Sequence, residues 1–424
     1  MDRHQIKNRH LLKLLAASAV VSCVTILLIY SVKLATEYLE EILFDWLLSR
    51  SALLFIITPT IGITAIYFLR KYAFKGRKNK GITEIYKTLD QRKEHLPFFK
   101  IPSHLLNGML TVIFGGSTGI EVSSVVASAT VGNQIHIRNF AANQYKRELV
   151  CAGVTAAVAI LFVSPVAGML FALEVISRKV RSTLLLSCGT AALLSWLFIH
   201  VAGLEPLLAF EDFTWSWHAM PGFIILSLLG ALLSVYFTLL VTRMKKLFGN
   251  INNNFIRVNT GAIAVGVGLC VFPALYGDSY HGMQGTMTAT GISLGTLAIL
   301  ALLKPLAASL TLGAGGDGGV FAPSIVAGAF LGLLVAKAGN IYFDLNLIPL
   351  NFALVGAAAT LSASIYAPFT ALILVCGLAP GGFQLFVPVL VGCIIARYFA
   401  QKVLPYNVYT YDFYLNTQAL KKTD

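Results

Sequence analysis

Apolar residues in this chain come in long runs, at 11–36, 52–69, 183–203, 221–243, 286–303 and 379–396. Each run is long enough, or nearly so, to cross a hydrocarbon core of about 30 Å as a helix. The pattern therefore predicts an all-α, polytopic membrane protein. The first run follows a basic start, MDRHQIKNRH, but has no small-residue cleavage site and far exceeds the core of a signal peptide. It is expected to be a retained helix.

Polar positions then stand out against this background. Residues 115–124 read GGSTGIEVSS, a glycine cluster and one glutamate, Glu121, with apolar sequence on both sides. Two hundred residues later the pattern recurs. Residues 115–132 (GGSTGIEVSSVVASATVG) and 315–332 (GGDGGVFAPSIVAGAFLG) are identical at 8 of 18 positions, where composition alone gives roughly two. With a three-residue shift, Gly153–Pro165 then corresponds to Gly356–Pro368. A duplication of this span predicts repeat one over about 50–215 and repeat two over about 220–400. A C-terminal helix over about 405–420 follows, and no soluble regulatory domain is expected after it.

A glycine loop opening into a helix presents free N–H groups and the positive end of the helix dipole. Irregular backbone at membrane depth is tolerated where it lines a cavity. Two such helix starts, related by duplication with inverted topology and meeting near the midplane, would suit an anion. Glycines that only let helices pack closely are the plainer alternative. Glu121, Glu174 and Asp317 are acids within apolar sequence, a costly placement that usually marks function. Glu121 stands where the other copy has Phe321, so the repeat itself does not require it. A carboxylate beside an anion site can occupy it when ionised and leave when protonated, which makes a pH-sensitive gate. Glu174, in FALEV, can instead be a structural acid.

Composition agrees: 57% of residues are hydrophobic and 12% charged, against about 25% charged in soluble domains. The net charge of +13 concentrates in short segments, at Arg3, Lys7 and Arg9, at 70–80, at 243–250, and at Lys402, Lys421 and Lys422. The positive-inside rule places these, and both termini, in the cytoplasm, which points to a cell (inner) membrane rather than to nucleic acid. The six cysteines lie in apolar sequence without metal-ligand spacing and are expected to pack rather than pair. No cofactor or metal is implied. Ser117 within GGSTG fits the Gly-x-Ser-x-Gly nucleophile pattern, but the apolar, helical surroundings and Asp317 at the matching position argue against an enzyme. A repeat-built transporter of another small anion or solute remains the serious rival.

These segments resemble the CLC family of chloride channels and chloride/proton antiporters over essentially the whole chain. Gly319-Val320-Phe321-Ala322-Pro323 matches the family's Gly-x-Phe-x-Pro and follows LKPLAASLTLGAGGDGG. The gating-glutamate segment reads Gly119-Ile120-Glu121-Val122-Ser123, keeping Gly119 and Glu121. Asn79-Lys80-Gly81-Ile82-Thr83, then Glu84-Ile85, is similar to the family's Gly-Ser-Gly-Ile-Pro. NVYTYDF places the family's C-terminal tyrosine at Tyr409, and SPVAGMLFALEV (164–175) is also similar.

The resemblance implies that Val320, Phe321 and Tyr409 hold a central anion, with Gly319, Gly81 and Ile82 nearby. Gly119, Ile120 and Val122 would form the outer site for which Glu121 competes. It also implies a homodimer in the lipid bilayer with a pore in each subunit, moving chloride or another small anion. Two departures change the expectation. Lys80 replaces the family's central serine, and either enters the pathway and tightens anion binding or snorkels to the surface and enriches anions at the inner mouth. Val175 stands where antiporters often carry an inner proton-accepting glutamate. The expected activity is anion transport, passive or weakly proton-coupled and gated by Glu121. Chloride/proton exchange by another proton route is the alternative.

Overall fold

Helix starts and stops follow local chemistry. Asn253 accepts hydrogen bonds from Phe255 N and Ile256 N at 3.0 and 3.3 Å, capping the helix Asn254–Val271. Ser293 Oγ accepts from Thr296 N at 3.1 Å and opens Leu294–Ala314, which Gly315 closes at φ +114°. Proline enters at the first turn of several helices, where its missing N–H costs nothing.

The computed structural model describes residues 3–77, 79–91, 94–140, 144–289 and 291–420, with side chains from 8 to 418. The basic residues Arg3, Lys7, Lys78, Lys421 and Lys422 thus lie outside the described side chains. Among the described residues there are 17 α-helices and no strand. They are α1 Arg3–Arg50, α2 Leu54–Phe68, α3 Ile82–Asp90, α4 Lys100–Ile113, α5 Glu121–Asn139, α6 Lys146–Leu161, α7 Pro165–Phe171, α8 Ser182–Ala202 and α9 Met220–Gly249. After them come α10 Asn254–Val271, α11 Tyr280–Thr288, α12 Leu294–Ala314, α13 Phe321–Phe343, α14 Pro349–Ile365, α15 Pro368–Cys376, α16 Phe386–Val403 and α17 Tyr411–Leu420. Among the described residues, eight helices are long and apolar enough to cross a membrane. The apolar runs marked six of these; the spans at 254–271 and 321–343 are additional. None of the six cysteines, all among the described residues, is in a disulfide.

The chain divides into two units. The first comprises residues 1–35, 79–106 and 121–206. Its core packs Ile26 and Ile29 of α1 with Leu105, Ala127, Ala156 and Ile160. Here α5 and α6 cross with backbones in contact. A Cβ on Gly132 would strike the Leu149 carbonyl, and one on Gly153 the Ser128 carbonyl.

The second unit comprises residues 36–78, 107–120 and 207–424. Alanines 231, 359, 363, 396 and 400 form one of its cores. Here α13 and α14 cross in the same way. A Cβ on Gly332 would strike the Phe352 carbonyl, and one on Gly356 the Gly328 carbonyl. The paired positions differ by 200 on the first helix and 203 on the second, the offsets read from the sequence. The copies also share a backbone feature that neither composition nor pattern announces. Val163 and the equivalent Tyr366 both adopt positive φ, +52° and +57°, before the proline of the next helix. A side chain there is uncommon, and for a β-branched valine it is an outlier.

Candidate functional site

In the first unit the segment 79–82 leads into α3. Gly81 has φ +65°, a conformation open to glycine. Glu84 reaches back to accept from the Lys80 backbone N–H and also from Lys100 Nζ at 2.8 Å. Lys100 and Ser103 approach Asn79 Oδ1 at 3.5 and 3.3 Å. The Glu84 carboxylate therefore caps the start of α3 and fixes the loop that carries Lys80. The Lys80 side chain is exposed. Further along α3, burial pushes the Tyr86 phenol above its usual pKa, and Arg178, 4.0 Å over the ring, partly offsets this.

This loop lies beside the start of α5. A Cβ on Gly81 would sit 3.6 Å from Val122 Cγ1. Glu121 is the first residue of α5 and only 4% exposed, so its carboxylate is at the positive end of a helix dipole. The first unit thus places Gly81, between Lys80 and Ile82, beside Val122, the residue after Glu121. It also places Glu174 and the buried Val175 in a π-helical segment, Ala172–Ser177. Such segments recur at functional sites.

The second unit holds the remaining candidates. Val320 precedes α13 and Phe321 begins it, 1% and 0% exposed. Gly319 is buried, as is Tyr409, whose N–H donates to Asn407 Oδ1 at 3.1 Å in the turn before α17. Gly119 and Ile120 belong to the loop 115–120, which is packed against the loop 315–320 within this unit. A Cβ on Gly318 would meet the Gly119 carbonyl at 3.0 Å and collide with Thr118 Oγ1.

Two threonines hold these loops. Thr111 Oγ1 accepts from Asp317 N at 3.0 Å, and Thr311 Oγ1 accepts from Ser117 N at 3.1 Å. Each threonine carbonyl also accepts from the N–H of its own loop's Gly116 or Gly316, at 2.7 and 2.9 Å. Neither threonine was singled out by the sequence, although both are the fifth residue before a Gly-Gly-x pair's second glycine. Lys304, marked in the sequence only as the lysine of the LKPLAASLTLGAGGDGG approach to α13, is a lone cation inside the apolar α12. It is fully buried and donates to Ser117 Oγ, Gly277 O and Ser279 Oγ at 2.9, 3.0 and 2.7 Å. A charge in a 21-residue apolar helix is the signal that could have marked it.

Ser117 is engaged on both sides, accepting from Lys304 and donating to Leu275 O at 2.9 Å. Its hydroxyl ties the loop down, where a nucleophile would need a base. Asp317, 6% exposed, interacts electrostatically with Arg70 of the same unit, which gives that buried acid a structural role in charge balance.

Comparison with known proteins follows the same residues. The sequence model of the voltage gated chloride channel family matches residues 61–401. The H(+)/Cl(-) exchange transporter ClcA of Vibrio cholerae is 24% identical over 413 aligned positions, covering 92% of this chain and 87% of that protein. The ClcA exchanger of Salmonella typhi is 24% identical over 363 positions, covering 82% and 76%. Among solved structures, a CLC-type fluoride/proton antiporter is similar at a TM-score of 0.80 and 22% identity, covering 96% of this chain and 98% of that one. A slow cyanobacterial Cl-/H+ antiporter is similar at a TM-score of 0.81 and 21% identity, covering 97% and 99%. The likeness of fold thus spans nearly the full length, and the family match covers most of it: the chain belongs to the voltage-gated chloride channel family.

Proposed function

We propose that this protein transports a small anion, chloride by default, across the membrane, with Glu121 as the gate. The observation that carries this reading is the pair of helix starts, Glu121 of α5 and Phe321 of α13, each buried and each opened by a glycine loop. Backbone amides at such starts offer partial positive charge, which attracts an anion without trapping it. The Gly319–Phe321 amides and the Tyr409 hydroxyl hold the central anion. Gly119, Ile120 and Val122 supply the outer position for which the Glu121 carboxylate competes. Gly81 and Ile82 frame the inner approach. Repeats of inverted topology, a homodimer with one pore per subunit, cytoplasmic termini and residence in the inner membrane complete the reading.

Transport is passive or weakly proton-coupled, because Val175 cannot accept a proton at the inner position. Proton-coupled exchange is the second reading, favoured by one observation: the relatives at hand are named exchangers and antiporters. One experiment tests both. Purified protein in chloride-loaded liposomes, with chloride and proton movement recorded together, should release chloride. Proton counter-movement in fixed ratio selects exchange, and its absence selects the passive route. No release of chloride, fluoride, nitrate or bicarbonate would defeat the transport reading.

Lys80 acts here as an exposed cation that concentrates anions at the inner mouth. Lys80→Ser is expected to weaken apparent anion affinity by about threefold at low ionic strength, and the difference should fade as salt shortens the screening length. A salt-independent loss would instead place the ammonium inside the pathway.

A further inference from the structure

The second unit holds a cavity that the anion-binding residues do not use. Helix α9, 30 residues and about 45 Å long, carries Arg243, Lys245 and Lys246 near its end. The positive-inside rule assigns that end to the cytoplasm, so the start of α9 lies on the opposite face. There the segment 204–219 meets the start of α14 around a cavity of about 260 Å³, many times the roughly 10–15 Å³ that one water requires. Phe223, Asn351 and Phe352 are buried and line its inner part; Thr214, Ser216 and His218 are exposed and line its mouth. Gln384 holds the outer wall in place. Its Oε1 accepts from Phe213 N and its carbonyl from Trp215 Nε1, each at 3.0 Å.

Three features define what fits. Asn351 Nδ2 donates to Thr214 O at 2.8 Å, which fixes the orientation of the amide. Its Oδ1 is thereby left as a buried acceptor for which the described residues supply no donor, a costly state without a partner. Charge is the second feature. Residues 203–223 and 338–352 contain Glu205, Glu211, Asp212 and Asp344 and no Lys or Arg, in a chain of net charge +13. Asp212 Oδ1 accepts from Thr214 N at 3.2 Å, so one of these carboxylates stands at the mouth. The third feature is aromatic surface, from partly buried Trp215 and from Phe223 and Phe352, whose rings lie 4.5 Å apart. Such surface attracts a cation. The acids disfavour an anion, and an apolar molecule would leave Oδ1 unpaired.

We propose that this cavity binds a primary alkylammonium group, the group carried by an ethanolamine phospholipid headgroup and by free amines. One N–H of the ammonium bonds Asn351 Oδ1, and its charge is met by Trp215 and by Asp212 at the mouth. Trp217, between two lining residues, is 71% exposed, and Tyr342 and Phe343, just before the lining residue Asn346, are 70% and 74% exposed. Exposed aromatic residues collect at the depth of lipid headgroups, which favours the lipid as the source. The inference uses the membrane orientation of the reading above but not its anion pathway.

The test is calorimetric titration of ethanolammonium chloride and of choline chloride into the delipidated full chain, with sodium chloride as the baseline. Choline has the charge but no N–H, and is expected to bind about tenfold more weakly. Asn351→Leu removes the acceptor at similar size and is expected to bring the two ligands to within about twofold of each other. Trp215→Leu is expected to weaken both by about threefold. Should Asn351→Leu fail to fold, the ligand pair in the unaltered protein and the exposed variant Asp212→Asn decide the matter. The latter should weaken both ligands at low salt, with the difference fading as salt rises. Native mass spectrometry from mixed phosphatidylethanolamine and phosphatidylcholine vesicles separates the sources. Selective retention of phosphatidylethanolamine assigns the site to the lipid, and ethanolammonium binding without such retention assigns it to a soluble amine. Equal affinity for the two ammonium ions overturns the proposal, as does a preference that survives Asn351→Leu. So does a cavity holding water alone, seen as no binding of either ion and no selective lipid retention. Each of these leaves chloride release as a separate question, answered by the liposome measurement.

Discussion

Replacing Glu121 by Gln or Ala is expected to abolish the pH dependence of anion flux. On the gating proposed for Glu121, the ionised carboxylate would compete for the outer anion position, so flux should rise as pH falls and the group becomes neutral. It lies at the first turn of α5 and is 4% exposed. One titrating group supports a rise of roughly tenfold over one to two pH units. Glu121→Gln should hold flux at the acidic level at every pH, and Glu121→Ala should do so with a wider opening. Liposome flux measured from pH 4.5 to 7.5 checks this. A pH response retained at its original size in both variants would remove Glu121 from the gate.

The second large effect concerns the fold. Gly332→Ala is expected to reduce the yield of monodisperse protein sharply and to lower its thermal midpoint. The added methyl would meet the Phe352 carbonyl and the Ala353 backbone, which belong to a helix and cannot swing aside as a side chain does. Overpacking typically costs about 1–3 kcal/mol when side chains can adjust, and here two helices must separate, so the upper end or beyond is expected. Gly132→Ala should behave alike, because its methyl would meet the Leu149 carbonyl. Gly268→Ala on α10, where nothing lies within 4 Å, is the control and should be neutral or slightly stabilising. Equal midpoints for Gly332→Ala and Gly268→Ala would show that the α13–α14 crossing relaxes freely.

Much of this architecture is legible in the residues. The glycine loops at 115 and 315 announce the starts of α5 and α13, and the repeat offset of 200, then 203, reappears as matched backbone contacts in the two copies. Helix boundaries are less legible where polar residues sit inside helices. The first apolar run ends at 36, yet α1 continues to Arg50 through EYLEE, because Glu40 is buried against Gly277 instead of facing solvent. The run at 286–303 likewise misplaces a helix. Ser293 caps a new helix that continues through Lys304 and Pro305 to Ala314, while Tyr280–Thr288 is separate. In both places a charge is tolerated because distant segments satisfy it, and sequence periodicity carries no record of distant partners. The same limit hid Thr111 and Thr311, whose importance lies in bonds spanning about two hundred residues.

Those two threonines have a further consequence. Thr111 serves the loop of Asp317 while Thr311 serves the loop of Ser117, and each hydroxyl also donates to its own helix, to Asn107 O and Ala307 O at 2.7 and 2.9 Å. Residue and equivalent residue exchange the same bond in both directions, which is the signature of an isologous contact between two identical subunits. One covalent chain therefore carries, within its second unit, the self-complementary kind of contact found in a dimer. Because each hydroxyl accepts from a backbone N–H, the contact keeps its symmetry while the side chains at the two positions differ, serine in one copy and aspartate in the other.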